Sequence, residues 1–224
     1  MNKTIKSIIA LAIIAAGVVF GLWFKDFRLD RADRKAVEAI REHYNILTTT
    51  KDDAALAEKM RGHLTVMQDA FGRCRERLRA SLIDCMIDES FLCGDFAGAI
   101  EYVDQVSGRT QAWKDGVKAK LNAHAALAIN DKATAIEGFL GFCKAVAGDM
   151  EFVVEVDPQT EVEWTKSMVL AHNYRRLSKL ADEIGDKARS AEFLKEAKAL
   201  AVKAVEEAEV NPEECRKILA DLLD

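Results

Sequence analysis

Residues 89–103, ESFLCGDFAGAIEYV, constrain this chain more than any other stretch. They read as the end of one helix, a tight Gly94-Asp95 turn and the start of a second helix. Gly94 supplies the left-handed conformation that ends a helix, and Asp95 offers an N-cap side chain to the next one. Weaker copies of the pattern recur at Asn130-Asp131 and Gly185-Asp186. A recurring helix–turn–helix unit decides architecture, because one hairpin cannot bury its apolar face alone and must stack on its neighbours. The expected fold class is therefore all-α, an antiparallel helix-hairpin solenoid.

Composition agrees. Half of the residues are apolar (50%), and only 2 prolines and 12 glycines interrupt them. Ala, Leu, Lys and Glu are strong helix formers. The formal net charge is −5, and the only charges in the first 25 residues are Lys3, Lys6 and Lys25, so the remainder is more acidic still. Such a body is a poor match for a nucleic-acid backbone, and no nucleic-acid partner is expected. The five cysteines include no CxxC pair. They read as small buried residues, not as zinc ligands, and their odd number leans towards a reducing compartment.

Residues 8–24 form an unbroken apolar run after Lys3 and Lys6, with Trp23, Phe24 and Phe27 at its far end. Its length is at the short limit for a bilayer, where about 20 apolar residues span the hydrocarbon core. The aromatics lie where an interfacial belt would form. Residues 1–30 are thus expected to be a single transmembrane helix, an N-terminal anchor or uncleaved signal. Cleavage near Gly21 is the competing reading. The export-like start places the body outside the cytoplasm, in a periplasmic position for a bacterial cell. Lys25, Arg28, Arg31, Arg34 and Lys35 on the other flank argue for the cytoplasmic face.

Residues 31–224 then form the repeat domain. The first helix, over 31–47, is expected to bury Ala36, Val37, Ile40, Tyr44 and Leu47. Residues 151–157, EFVVEVD, break the helical period and read as a loop or a short extended segment. Asp157-Pro158 is expected to restart a helix running to about Ile184, and Asn211-Pro212 to start the last one, each as N-cap plus first-turn proline. The Cys215, Ile218, Leu219, Leu222 face of that last helix suits a cap on the open end of the stack.

The unit resembles the tetratricopeptide repeat, a helix–turn–helix of about 34 residues. In that family the turn is followed by a small residue at the helix crossing and a bulky one four positions on. The matching residues are Gly94, Asp95, Ala99, Ile100 and Val103, then Asn130, Asp131, Ala135, Ile136 and Phe139, then Gly185, Asp186, Ser190, Leu194 and Ala197. Crossing helices approach closely only where a side chain is small. The chain departs from the family pattern at Ile87, Ser90 and Ala126, and its turns are unequally spaced. The resemblance covers roughly residues 80–205. It implies a TPR-like binding scaffold, which has many possible partners.

No catalytic constellation is visible. The histidines His43, His63, His124 and His172 fit no metal-binding or triad spacing and read as ordinary helix residues. No catalytic, cofactor or metal residue is assigned. Arg73 and Arg77, in the RCRERLR cluster, are candidates to hold an acidic peptide, and Asn122 and Asn173 to hold a peptide backbone. The expected function is a non-enzymatic, membrane-anchored adaptor or scaffold binding a protein partner or peptide segment. The alternatives are a structural or assembly subunit of a bacterial envelope or secretion complex and, third, an all-helical enzyme.

Overall fold

A computed structural model describes residues 31–148, 150, 155–156 and 162–223, so the expected anchor over residues 1–30 lies outside the described residues. Among the described residues no helix is long and apolar enough to cross a membrane. The helices are α1 (Arg31–Thr49), α2 (Asp53–Arg73), α3 (Glu76–Leu92), α4 (Phe96–Gln105), α5 (Gln111–Ala128) and α6 (Lys132–Ala147), then α7 (Lys166–Glu183), α8 (Lys187–Glu207), α9 (Pro212–Ile218) and α10 (Ala220–Leu223). Between α6 and α7, β1 (Glu155–Val156) pairs antiparallel with β2 (Glu163–Trp164), Glu155 opposite Trp164. The all-α expectation holds for everything described except this short pair.

Three turns are built alike. Gly94, Asn130 and Gly185 all have positive φ, at 81°, 60° and 82°. Each turn closes the preceding helix with the same long bond: Asp95 N–H donates to Ser90 O (2.8 Å), Asp131 N–H to Ala126 O (2.8 Å) and Asp186 N–H to Ala181 O (2.9 Å). A shorter bond from the residue before, such as Gly94 N–H to Phe91 O at 3.1 Å, completes a Schellman motif. Each aspartate then caps the next helix, accepting from Gly98 N–H (3.0 Å), Thr134 N–H (3.1 Å) and Arg189 N–H (3.1 Å). One dipeptide therefore satisfies the orphan carbonyls of one helix and the orphan amides of the next. Thr110 and Thr165 cap α5 and α7 through their hydroxyls.

The core is handed from helix to helix. Ala36, Ala39, Met67, Leu82 and Met86 join α1, α2 and α3. Ile83, Ile87, Ala99, Val103 and Leu121 join α3, α4 and α5. Ala123, Ala135, Phe139, Leu177 and Phe193 join α5 to α8. Met168, Ala197, Ala201, Cys215 and Leu222 join α7 and α8 to α9 and α10. Ala99, Val103, Ala135 and Phe139 are fully buried. Helices α5 and α6 pack closely at Gly138, where an added Cβ would lie 2.8 Å from Ala123 Cβ and 2.9 Å from Ala119 O.

Several expectations are corrected. The buried stripe of α1 is Ala36, Ala39, His43 and Ile46, while Tyr44 is 58% exposed. The helix is turned because His43 has a buried partner, described below. Helix α7 starts at Lys166, well after Pro158, because residues 163–164 are extended and Val162 is fully buried before them. Pro158 itself lies outside the described residues. Pro212 does start α9, but Asn211 takes a left-handed conformation and makes no side-chain cap bond. Leu194 is 39% exposed, and the neighbouring Phe193 takes the buried position. One residue of register, about 100° around the helix, separates the two choices, and the larger aromatic enters the core against Tyr174.

Candidate functional site

The four polar residues singled out in the sequence do not converge. Arg73, at the end of α2, pairs with Asp69 four residues back at 2.6 Å. Arg77, in the first turn of α3, pairs with the fully buried Asp33 of α1 at 2.9 Å, and Arg75 donates its backbone N–H to the same carboxylate at 3.0 Å. Arg77 thus ties α3 to α1. Asn122 is exposed on α5. Asn173 is buried in α7, with its amide donating to Val169 O at 2.8 Å, an intrahelical bond.

Sequence reasoning missed a buried polar node. His43 on α1, His63 on α2 and Glu89 on α3 meet in the interior. Glu89 Oε1 lies 3.0 Å from His43 Nδ1 and 2.7 Å from His63 Nδ1. A carboxylate oxygen accepts, so each ring donates from Nδ1, which fixes both tautomers. His43 Nε2, Glu89 Oε2 and Ser90 Oγ are buried without a hydrogen-bond partner among the described residues. His43 Nε2 does come within 4.0 Å of Asp88 Oδ2. His63 also lines an open groove of about 430 Å³ between α1 and α2, with Lys35, Glu38, Glu42, Val66 and Asp69 around it. Among the described residues no group of three or more His, Cys, Asp or Glu is arranged to hold a metal ion. The node's evident work is to lock three helices together. The only sequence signal for it was the register of His43 with Ala36 and Ala39.

A second cluster lies where α3, α5 and α7 meet. His124 of α5 packs edge-on against Phe91 (ring centroids 4.8 Å apart) and Phe139 (5.2 Å), and lies parallel to Phe96 at 6.3 Å. Arg176 of α7 lays its guanidinium over the Phe139 ring, 4.6 Å from the centroid, with Nη1 3.4 Å from His124 Nε2. Burial, then the positive charges of Arg176 and Lys120, push His124 down to about 4. His172, one turn before Arg176, is also lowered, by burial and then by Arg176, Arg175, Lys120 and Lys179. Trp164 stands edge-on to His172 at 6.0 Å. Burial lowers Arg176 itself. His124 is therefore neutral at pH 7, while His172 lies on the exposed rim of the cluster.

The five cysteines are free. Burial pushes the Cys85 and Cys143 thiols up to about 12, with Asp88, Glu89 and Asp84 adding to the effect at Cys85. Neither ionises near neutrality, so neither is a reactive thiol.

The described fold is an all-helical array of antiparallel hairpins. No family model, curated protein or solved structure matches the chain.

Proposed function

We propose that this chain is a non-enzymatic, membrane-anchored adaptor of TPR-like, solenoid build, whose first-helix faces hold a segment of a partner protein. The supporting observation is the threefold repetition of one turn, at Gly94-Asp95, Asn130-Asp131 and Gly185-Asp186, with the same closing bond and the same aspartate cap. Stacked hairpins of this kind present an extended face made from successive first helices, here α3, α5 and α7. The anchor is residues 1–30, and the body sits outside the cytoplasm. Two experiments test the reading. Protease protection on intact cells should show the body accessible from outside. A pull-down from detergent-solubilised membranes should recover a protein above background, and recovery of none would overturn the adaptor role.

A second reading, a fixed subunit of a membrane assembly, is favoured by one feature. Ile129 and Ile184 are the C-cap residues of α5 and α7, at equivalent turn positions, and are 78% and 44% exposed. We read this repeated exposed isoleucine as a contact point for a neighbouring subunit. Native size in detergent separates the readings: a free monomer rules out the fixed subunit.

A further inference from the structure

A half-buried guanidinium is normally paired, because removing a charge from water is costly unless an opposite charge or hydrogen bonds replace the solvent. Arg176 breaks that rule. Its contacts are the His124 ring edge and the Phe139 face, and among the described residues it has no carboxylate partner. Stacking on an aromatic face covers the plane of the guanidinium and leaves its in-plane N–H groups to bind a carboxylate oxygen pair. Around it, Arg175, Lys120 and Lys179 all act on His172 with the same sign as Arg176. Arg175 is itself paired with Asp221, but Arg176 is not. The chain carries a net charge of −5, so this group of cations runs against its overall sign.

We propose that Arg176, with Lys120, His124, His172 and Lys179 around it, forms a docking site for an acidic segment of a partner protein, with one partner carboxylate seated on the Arg176 guanidinium. The aromatics Phe91, Phe96, Phe139 and Trp164 supply the apolar ground beside it. After burial, the same cations lower both His124 and His172, a positive charge that an arriving anion would offset. Arg73 and Arg77 are not part of this site, being occupied by Asp69 and Asp33.

The inference rests on the adaptor reading and names the chemistry of its partner. The probe is a fluorescein-labelled ten-residue peptide rich in Glu and Leu, measured by anisotropy against the full chain in detergent micelles. The control peptide carries Gln in place of every Glu. The acidic peptide should bind at least about tenfold more tightly at low salt, and the difference should shrink as ionic strength rises. Arg176→Gln should remove the preference. His172→Glu, on the exposed rim, should weaken the acidic peptide by about tenfold without disturbing the helical circular dichroism. Equal binding of the two peptides, or an unchanged preference in a folded His172→Glu chain, overturns the proposal. Preference for phosphatidylserine vesicles over the acidic peptide also overturns it, by assigning the site to a lipid surface. Pull-downs with wild type and His172→Glu separate this failure from failure of the adaptor reading. A partner recovered equally by both chains leaves an adaptor that docks elsewhere, and recovery by neither removes the adaptor.

Discussion

His63 Nδ1 lies 2.7 Å from Glu89 Oε1, inside a helical interior, and the same oxygen also accepts a hydrogen bond from His43 Nδ1. Three helices therefore depend on one carboxylate. Replacing Glu89 by Ala leaves two buried imidazole donors unpaired and should cost about 2–6 kcal/mol. Glu89→Gln keeps an acceptor oxygen and should cost clearly less. Urea unfolding at pH 7 gives both numbers. Equal losses for the two variants would mean that the node acts by filling space and not by accepting protons.

Gly138 and Gly62 make an informative pair. Gly138→Ala drives a methyl into Ala123 and the Ala119 carbonyl, which should cost about 1–3 kcal/mol. At Gly62, on an exposed part of α2, nothing lies within 4 Å of an added Cβ. Gly62→Ala should stabilise the chain by about 0.5–1 kcal/mol by raising helix propensity. Opposite shifts in thermal midpoint are expected for the same chemical change.

The repeated turns predict a matched series. Asp95→Ala, Asp131→Ala and Asp186→Ala each remove one cap bond and should each cost about 1 kcal/mol. Asn130→Gly relieves a left-handed non-glycine residue and should be neutral or mildly stabilising. A cap loss below about 0.3 kcal/mol at all three sites, against that expected size, would show that packing alone sets these turns.

Stability should fall in mild acid through His124. Burial and then Arg176 and Lys120 hold its folded pKa near 4, against 6.5 for the free side chain. Between those values the unfolded chain binds a proton that the folded chain refuses, so stability drops as pH falls from about 6.5 towards 4. Above 6.5 the group contributes no slope. His124→Phe places another ring among Phe91, Phe96 and Phe139 and removes the titration. Its thermal midpoint should fall less between pH 7 and 4.5 than that of the wild type, by on the order of a few degrees. Parallel pH profiles for the two chains would remove His124 as the cause.

The turns were legible in the sequence because their chemistry is local. Gly94, Asn130 and Gly185 need positive φ, and an aspartate follows each within the same short segment. The polar node was not legible. His43 and His63 meet Glu89 across 46 and 26 residues, so no spacing rule connects them. Histidine is also ambiguous in a periodicity argument, being polar by composition and buried here by pairing. That ambiguity turned the expected face of α1 and put Tyr44 where His43 belongs. The start of α7 was misplaced for another reason. Asp157-Pro158 is a sound local start signal, but burial of Val162 in the α7–α8 core holds the chain extended beyond it. Arg176 carried no signal at all, since an arginine with no carboxylate partner among the described residues is recognised only once its neighbours are in place.

The core passes from helix to helix through overlapping clusters, with no single centre. Such a chain melts by nearest-neighbour loss, so its free energy of opening is graded along its length. Amide exchange should be slowest in α5 and α7, each of which contributes residues to two clusters, and fastest in α10. A partner seated across α5 and α7 would bind the slowest-opening segment, and would therefore add protection at the middle of the array and not at its ends.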